Sequence, residues 1–157
     1  MAADDLDGAT LAAWRAFLTA HALIVRRIEA QLAEADLPPL GWYDVLWALR
    51  EAPARRLRMN ALADEVVILS RTGLIRLVDR IEAAGLLRRE AVPGDRRGAY
   101  AVITDEGVAM LRRMWPVYRA AIAAHFAPHA GSPERLRGTF GRMAESAKLS
   151  GAASPGA

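Results

Sequence analysis

Arginine is the residue type with the clearest chemical potential in this sequence, and it is concentrated in the middle of the chain. Residues 55–97 hold ten arginines against six acidic residues, whereas residues 1–54 hold four arginines against eight acidic residues. A guanidinium group presents a planar fork of N–H donors that suits phosphate and guanine better than an ammonium group does. We therefore expect a polyanion to bind to the middle of the chain.

Residue patterns typical of catalysis or metal binding are rare. The chain has no cysteine, which excludes disulfides, thiol redox sensing and Cys-ligated metals. It also lacks a Gly-rich phosphate loop, a Gly-x-Ser-x-Gly turn and a His-Glu-x-x-His pair. His125 and His129 have a chelating spacing, with His21 as a candidate third ligand, but Pro128 between them is expected to end that helix. We thus expect no enzyme activity, no catalytic residues, no cofactor and no metal site.

Two short helices separated by a turn are predicted to position part of the arginine cluster. Asn60 is expected to cap a helix from Ala61 to about Val67. Ser70 is expected to cap the next helix, which runs through Ala84 to a stop at Gly85. Two capped helices at this separation predict a helix-turn-helix unit.

The second of these helices has two chemically different sides. Its apolar side is formed by Leu74, Leu77, Val78 and Ile81. Its outer side carries Thr72, Ile75, Arg76, Asp79 and Arg80, with Arg71 near the first turn. The outer side is therefore polar and largely basic.

A basic hairpin is predicted directly after this helix. Leu86–Ala91 and Ala99–Ile103 are candidate strands, and residues 93–98 between them form a turn rich in positive charge. A hairpin in this place, following a candidate recognition helix, is typical of a wing.

Longer helices are predicted on both sides of this central part. Apolar spacing predicts helices over Asp7–Ala35 and Gly41–Glu51. Thr104 is expected to cap another long helix, kinked at Pro116. A last helix is expected to begin at Ser132-Pro133 and to end near Leu149.

Three stretches of this pattern resemble the MarR (multiple antibiotic resistance regulator) family. They are Leu62-Ala63, Ser70–Leu87 and Asp95–Gly107, where Asp-Arg-Arg, a hydrophobic strand and Thr-x-x-Gly form the wing signature of that family. The resemblance extends over residues 7–149. It implies a homodimer built by the first and last two helices, a pseudo-palindromic double-stranded DNA operator, and release by a small ligand. The expected function is that of a transcriptional regulator acting mainly as a repressor.

The expected fold is mainly α, a winged helix-turn-helix with a small β-hairpin wing and N- and C-terminal dimerisation helices. In this division, residues 1–36 form the N-terminal dimerisation helix and residues 41–104 the DNA-binding lobe. Residues 105–149 form the C-terminal dimerisation helices, and residues 150–157 form a disordered tail.

The resemblance also assigns roles to individual side chains. Those expected at the major groove or its flanking phosphates are Ser70, Arg71, Thr72, Arg76 and Arg80. Arg96 and Arg97 are expected at the minor groove. Asp95 is expected to hold a neighbouring arginine through a charge-assisted bond.

A small aromatic or phenolic ligand is expected between the dimerisation helices and the DNA-binding lobe. The residues predicted to contact it are Trp14, Trp42, Tyr43, Trp47 and Arg58. Tryptophan at helical spacing is also typical of a core or a dimer interface, so both interpretations stay open.

The location and two alternative functions complete the sequence-based expectations. An acidic start and the lack of a run of about 18 uncharged apolar residues predict a cytoplasmic protein without a membrane partner. One alternative is a winged-helix protein-interaction module that does not bind DNA, although Arg71, Arg76, Arg96 and Arg97 would then be unexplained. The other is a carrier of a small molecule or a metal.

Overall fold

The computed structural model describes residues 6–66 and 71–152, with side chains given for these residues except Arg71 and residues 149–152. This part of the chain forms six α-helices, three strands and two short 3₁₀ turns. The helices are α1 Gly8–Glu34, α2 Leu40–Glu51, α3 Met59–Glu65, α4 Arg71–Ala83, α5 Asp105–His125 and α6 Pro133–Ala152. The strands are β1 Arg56–Arg58, β2 Leu87–Val92 and β3 Asp95–Ile103.

The mainly helical fold with a β-wing is confirmed, and one predicted helix start is wrong. Asn60 does not cap a helix, because α3 begins one residue before it, at Met59. Ser70, the predicted cap of α4, lies outside the described residues. Thr104 and Ser132 do act as caps: their hydroxyl oxygens accept from the N–H groups of Gly107 and Arg135 at 3.1 and 3.4 Å.

The sheet has one strand more than the sequence predicted. Its order is β1-β3-β2, antiparallel throughout, with Leu57 opposite Ala101 and Leu87 opposite Ile103. The predicted turn over residues 93–98 is wrong in its length, because β3 already begins at Asp95 and only Pro93-Gly94 connects the strands. Gly94 adopts a φ of 78°, which glycine tolerates without strain. The arginines of the wing therefore lie on a strand rather than on a free loop.

Two compact units divide the chain, residues 1–121 and residues 122–157. The core of the first unit is apolar and joins α1 to α5 with the sheet; its fully buried members include Leu32, Leu46, Leu49, Leu62, Val78, Ile81 and Met114. The second unit contains the end of α5, the turn Ala127–His129 and α6. Helix α5 continues through Pro116 without interruption.

Helix α1 is buried only near its C-terminal end. Ile28 and Leu32 are its buried residues, whereas Leu11, Trp14 and Leu18 are exposed. By length and composition alone, α1 could also cross a membrane, a criterion that helices packed against protein meet as well. The N-terminal half of α1 therefore carries apolar surface that residues 6–66 and 71–152 do not cover.

The start of α5 packs closely against the base of the wing. Thr104 Oγ1 donates to the carbonyl oxygen of Gly85 at 2.7 Å and accepts from the N–H of Gly107. A Cβ atom at residue 107 would collide with the Leu86 carbonyl oxygen and lie 2.7 Å from Cγ1 of Ile103. Only glycine allows this approach without a shift of backbone.

We predict that Gly107→Ala lowers the free energy of unfolding by about 1–3 kcal/mol, the usual cost of overpacking in a well-packed core. Gly8→Ala is the matched control, because a Cβ atom there meets nothing within 4 Å. Thermal or urea unfolding of both variants measures the difference. Equal stability of the two variants would contradict the close packing described for residue 107.

Candidate nucleic-acid interface

Helix α4 presents a continuous polar stripe on the side away from the core. Leu74, Leu77, Val78 and Ile81 are buried, and the stripe is formed by the exposed residues Thr72, Ile75, Arg76, Asp79 and Arg80. These positions follow the three- and four-residue steps that place side chains on one helix face. The predicted division of the two faces is therefore confirmed.

The end of α4 is fixed by a backbone motif that also starts the wing. The N–H of Leu86 donates to the carbonyl of Ile81 at 3.1 Å, and the N–H of Gly85 donates to Glu82 at 2.8 Å. This pair of bonds with Gly85 at a φ of 75° is a Schellman cap. Because Leu86 is buried directly before β2, the cap sets the direction in which the wing leaves the helix.

Asp95 pairs with an arginine that is distant in sequence. One carboxylate oxygen accepts from the backbone N–H of Arg97 at 3.1 Å, and the other lies 3.3 Å from Nη1 of Arg58 on β1. A Cβ atom on Gly98 would lie 2.8 Å from Cγ of Asp95, so glycine at 98 leaves room for this carboxylate. The Arg58 guanidinium also lies 5.7 Å from the ring centroid of Tyr100.

Arg89 connects the wing to α4 through ion pairs and a backbone hydrogen bond. Its guanidinium contacts Asp79 at 2.6 Å and also Glu82, both on α4. Its backbone N–H donates to Oε1 of Glu82 at 2.7 Å. Burial alone would lower the pKa of Arg89, but the bonds to these two carboxylates raise it overall.

The arginines of this region fall into two groups. Arg56 and Arg88 lie 3.6 and 2.6 Å from Glu90, and Arg58 and Arg89 are paired as described above. By contrast, five exposed arginines of this region have no ion-pair partner within the described part of the chain: Arg55, before β1, and Arg76, Arg80, Arg96 and Arg97. Four of these five lie together on the α4 stripe and at the start of β3, so their charge is available to an external anion.

The five predicted ligand-contacting residues do not line one cavity. Trp14 is exposed on α1 beside Phe17, at 5.8 Å between ring centroids. Tyr43 is buried in an aromatic cluster with Trp47, Trp115 and Tyr118. Arg58 lies on β1, where it pairs with Asp95 of the wing. Burial, together with the charge of Asp44, raises the pKa of Tyr118, and burial raises that of Tyr43.

Trp42 lies in a cavity of about 410 Å³ between α1, α2 and α4. The charged and polar residues that line it include His21, Glu29, Asp44, Arg76 and Arg80. Trp47 instead lines a neighbouring cavity of about 560 Å³, which shares Asp44 and Val66 with the first. Two unpaired arginines of the α4 stripe are thus also part of a cavity wall.

Asp44 is a functional candidate that the sequence did not reveal. Burial, together with the neighbouring Glu29 carboxylate, raises the pKa of Asp44 to about 6. Glu29 itself accepts from the backbone N–H of Leu40 at 3.1 Å, which holds its carboxylate at the start of α2. A single aspartate in an amphipathic helix gives no sequence signal for this environment, because its acidic neighbour comes from another helix.

Comparisons with known proteins agree with this geometry. The sequence model of the MarR family matches residues 35–98. The HTH-type transcriptional regulator PecS of Dickeya dadantii is 33% identical over 72 residues, which are 46% of this chain and 43% of PecS. The matched segment thus spans less than half of that curated relative. The names of such relatives are those of regulators, in agreement with the prediction that the chain is not an enzyme.

Solved structures extend the similarity over nearly the whole chain. AbsC, a MarR family transcriptional regulator from Streptomyces coelicolor, is 29% identical with a TM-score of 0.80, over 92% of this chain and 97% of AbsC. Sco3205, a MarR family transcriptional regulator from the same organism solved in complex with DNA, is 32% identical with a TM-score of 0.82, over 98% of this chain and 95% of Sco3205. Sequence, wing geometry and fold together show that this chain belongs to the MarR family of transcriptional regulators.

Proposed function

We propose that the protein is a cytoplasmic, homodimeric transcriptional repressor that binds a pseudo-palindromic DNA operator and is released by a small anionic ligand. The observation that carries the DNA-binding part is the set of unpaired arginines on α4 and β3, which the surrounding carboxylates leave free. Repression follows if the bound dimer occupies DNA that RNA polymerase needs.

In this proposal α4 enters the major groove and the β2–β3 wing reaches the adjacent minor groove. Arg76 and Thr72 face base edges or nearby phosphates from α4, and Arg71 at its first position is proposed to do the same. The contact of Ser70, which lies outside the described residues, stays a prediction from sequence. Arg96 and Arg97 approach the minor groove, whose negative potential attracts arginine. Two such modules in a dimer fit half-sites about one helical turn apart, roughly 34 Å.

We predict that Arg97→Ala reduces the salt dependence of binding to a mixed-sequence duplex. Each phosphate contact contributes about 0.9 to the slope of log affinity against log salt, so a dimer that loses two contacts loses about 1.8. Arg88→Ala is the matched control on the same wing, because Arg88 is held by Glu90 and not free for phosphate. Fluorescence anisotropy across a salt series measures both slopes.

In the same series, Arg76→Ala is expected to lower affinity less evenly among sequences than Arg97→Ala, because a base contact depends on sequence and a phosphate contact does not. If Arg97→Ala and Arg76→Ala both bind like the unmodified protein at every salt concentration, the proposed DNA face is wrong. A slope change in Arg88→Ala equal to that in Arg97→Ala would contradict the division into paired and free arginines.

The proposed dimer rests on the uncovered apolar side of α1. Leu11, Trp14 and Leu18 share their helix side with the buried Ile28 and Leu32, since all are related by steps of three, four or seven residues. The core covers this side only at the C-terminal end of the helix. A second copy offers the same stripe and covers the remainder through a two-fold contact.

We predict that light scattering of the full chain gives about twice the 17.0 kDa of one chain at micromolar concentration. Leu18→Arg places a charge in the apolar stripe and is expected to shift the protein toward monomer or aggregate. Ala16→Arg adds the same charge on the opposite side of α1 and is expected to remain dimeric. A folded monomer for the unmodified chain would exclude the proposed dimer.

The ligand proposal rests on the 410 Å³ cavity that Trp42, Arg76 and Arg80 line together. Trp42 offers an aromatic face and the two arginines offer positive charge, a combination that suits a small aromatic acid. An anion held by these arginines competes with DNA for the same charges. Trp14 and Arg58 lie away from this wall, and their ligand contact stays a prediction from sequence.

We predict that Asp44→Asn tightens binding of an aromatic acid at pH 7.5. Above its pKa of about 6, Asp44 is ionised and repels an anion in the cavity. Below pH 6 it is protonated, so the affinity difference between Asp44→Asn and the unmodified protein is expected to shrink. Glu51→Gln is the control, since Glu51 lines only the neighbouring cavity. The affinities are measured by titrating a panel of aromatic acids and following tryptophan fluorescence. Trp42→Phe serves as the reference, because it lacks the tryptophan that lines the cavity.

The same titrations in the presence of saturating duplex test the competition. An anion that weakens DNA binding must itself bind more weakly to the DNA complex, by the same factor. Equal quenching with and without DNA would contradict release through this cavity, and no quenching by any acid in the panel would contradict the ligand proposal itself.

A further inference from the structure

Ile75 is an exposed apolar side chain in the middle of the polar stripe of α4. It is 51% exposed, although its sequence neighbour Leu74 is only 2% exposed. The helix is therefore well packed at this point, and the exposure of Ile75 comes from its position on the outer face. A single exposed isoleucine needs no explanation in general, so its surroundings decide what it can do.

The surroundings of Ile75 are those of a base-reading side chain. One turn away on the same stripe are Thr72 and Asp79, and the unpaired Arg76 is adjacent. Ile75 is the fifth residue of α4, within the N-terminal half that in helix-turn-helix proteins lies against base edges. Asp79 is engaged by Arg89 at 2.6 Å, so its negative charge is partly offset beside a DNA surface.

The isoleucine side chain can neither donate nor accept a hydrogen bond, so it can recognise only an apolar group on a base. Among the major-groove edges of the four bases, the apolar element is the C5-methyl group of thymine. A β-branched side chain in a helix also keeps essentially one χ1 rotamer, so little conformational entropy is lost when it makes such a contact. The chemistry of Ile75 therefore fits thymine better than the polar edges of the other bases.

We propose that Ile75 is a specificity-determining residue that contacts the C5-methyl group of a thymine in each half-site. This inference rests on the proposed DNA-binding function and adds a direct base contact to it. It assigns to α4 an apolar contribution to sequence recognition, next to the charged contribution of Arg76.

The test uses the duplex obtained by selecting bound fragments from genomic DNA of the source organism. Each thymine of one half-site is replaced in turn by deoxyuridine, which removes only the methyl group and keeps the base pair. The unmodified protein is expected to lose affinity about fourfold at one thymine, the equivalent of one methylene-sized apolar group returned to water. Ile75→Ala is expected to bind the thymine duplex more weakly and to show no loss at that deoxyuridine.

Two further variants separate base reading from folding and from general DNA affinity. Ile75→Val keeps part of the apolar contact and is expected to give an intermediate loss. Leu23→Ala removes a similarly exposed aliphatic side chain from α1 and is expected to keep the full thymine preference. Binding to a mixed-sequence duplex at low salt is expected to be unchanged in Ile75→Ala, and its thermal unfolding is expected to match that of the unmodified protein.

The outcomes distinguish failure of the thymine contact from failure of the proposed DNA-binding function. If the unmodified protein binds no duplex, the proposed function fails and the inference fails with it. If it binds a selected duplex but no thymine is sensitive to deoxyuridine, only the inference is overturned. The same holds if Ile75→Ala remains as sensitive as the unmodified protein, or loses affinity equally on all duplexes, since Ile75 would then contact sugar or backbone.

Discussion

The bonds of Arg89 to α4 are the contacts on which the geometry of the whole interface depends. This side chain, only 29% exposed, joins β2 to Asp79 and Glu82, and the backbone N–H of the same residue adds a bond to Glu82. The Schellman cap at Gly85 fixes the other end of the same short connection. A duplex presents its major and minor grooves at a fixed separation, so α4 and the wing must hold their own separation before DNA arrives.

The carboxylates of the wing and α4 determine which arginines remain available. Four carboxylates pair with arginines that hold the strands and α4 together: Asp79, Glu82, Glu90 and Asp95. Such exposed pairs add little stability individually, but they fix side-chain positions and remove those charges from the binding surface. Arg76, Arg80, Arg96 and Arg97 are left for an external polyanion. Composition alone, with ten arginines in the central segment, could not separate these two groups.

The features predicted correctly are those specified by local sequence. The two faces of α4 follow from periodicity over 13 residues, and the caps at Thr104 and Ser132 follow from residues within three positions of each other. The features that were missed depend on partners far along the chain. Strand β1 has only three residues and forms because β3 pairs with it, and Arg58 on β1 is tied to the wing through its ion pair with Asp95. The pKa of Asp44 likewise depends on Glu29 from another helix.

The position of Arg76 and Arg80 suggests how one helix can respond to two different anions. Both side chains lie on the exposed stripe of α4 and also on the wall of the cavity beside Trp42. A ligand shifts an equilibrium only through a difference in its affinity for two states. In the proposed mechanism this difference arises directly, because a guanidinium that turns to a ligand carboxylate in the cavity is withdrawn from phosphate. A tenfold effect requires about 1.4 kcal/mol, which is within the range of one charge-assisted hydrogen bond. In the proposed mechanism, release from DNA therefore requires no large rearrangement of the dimer.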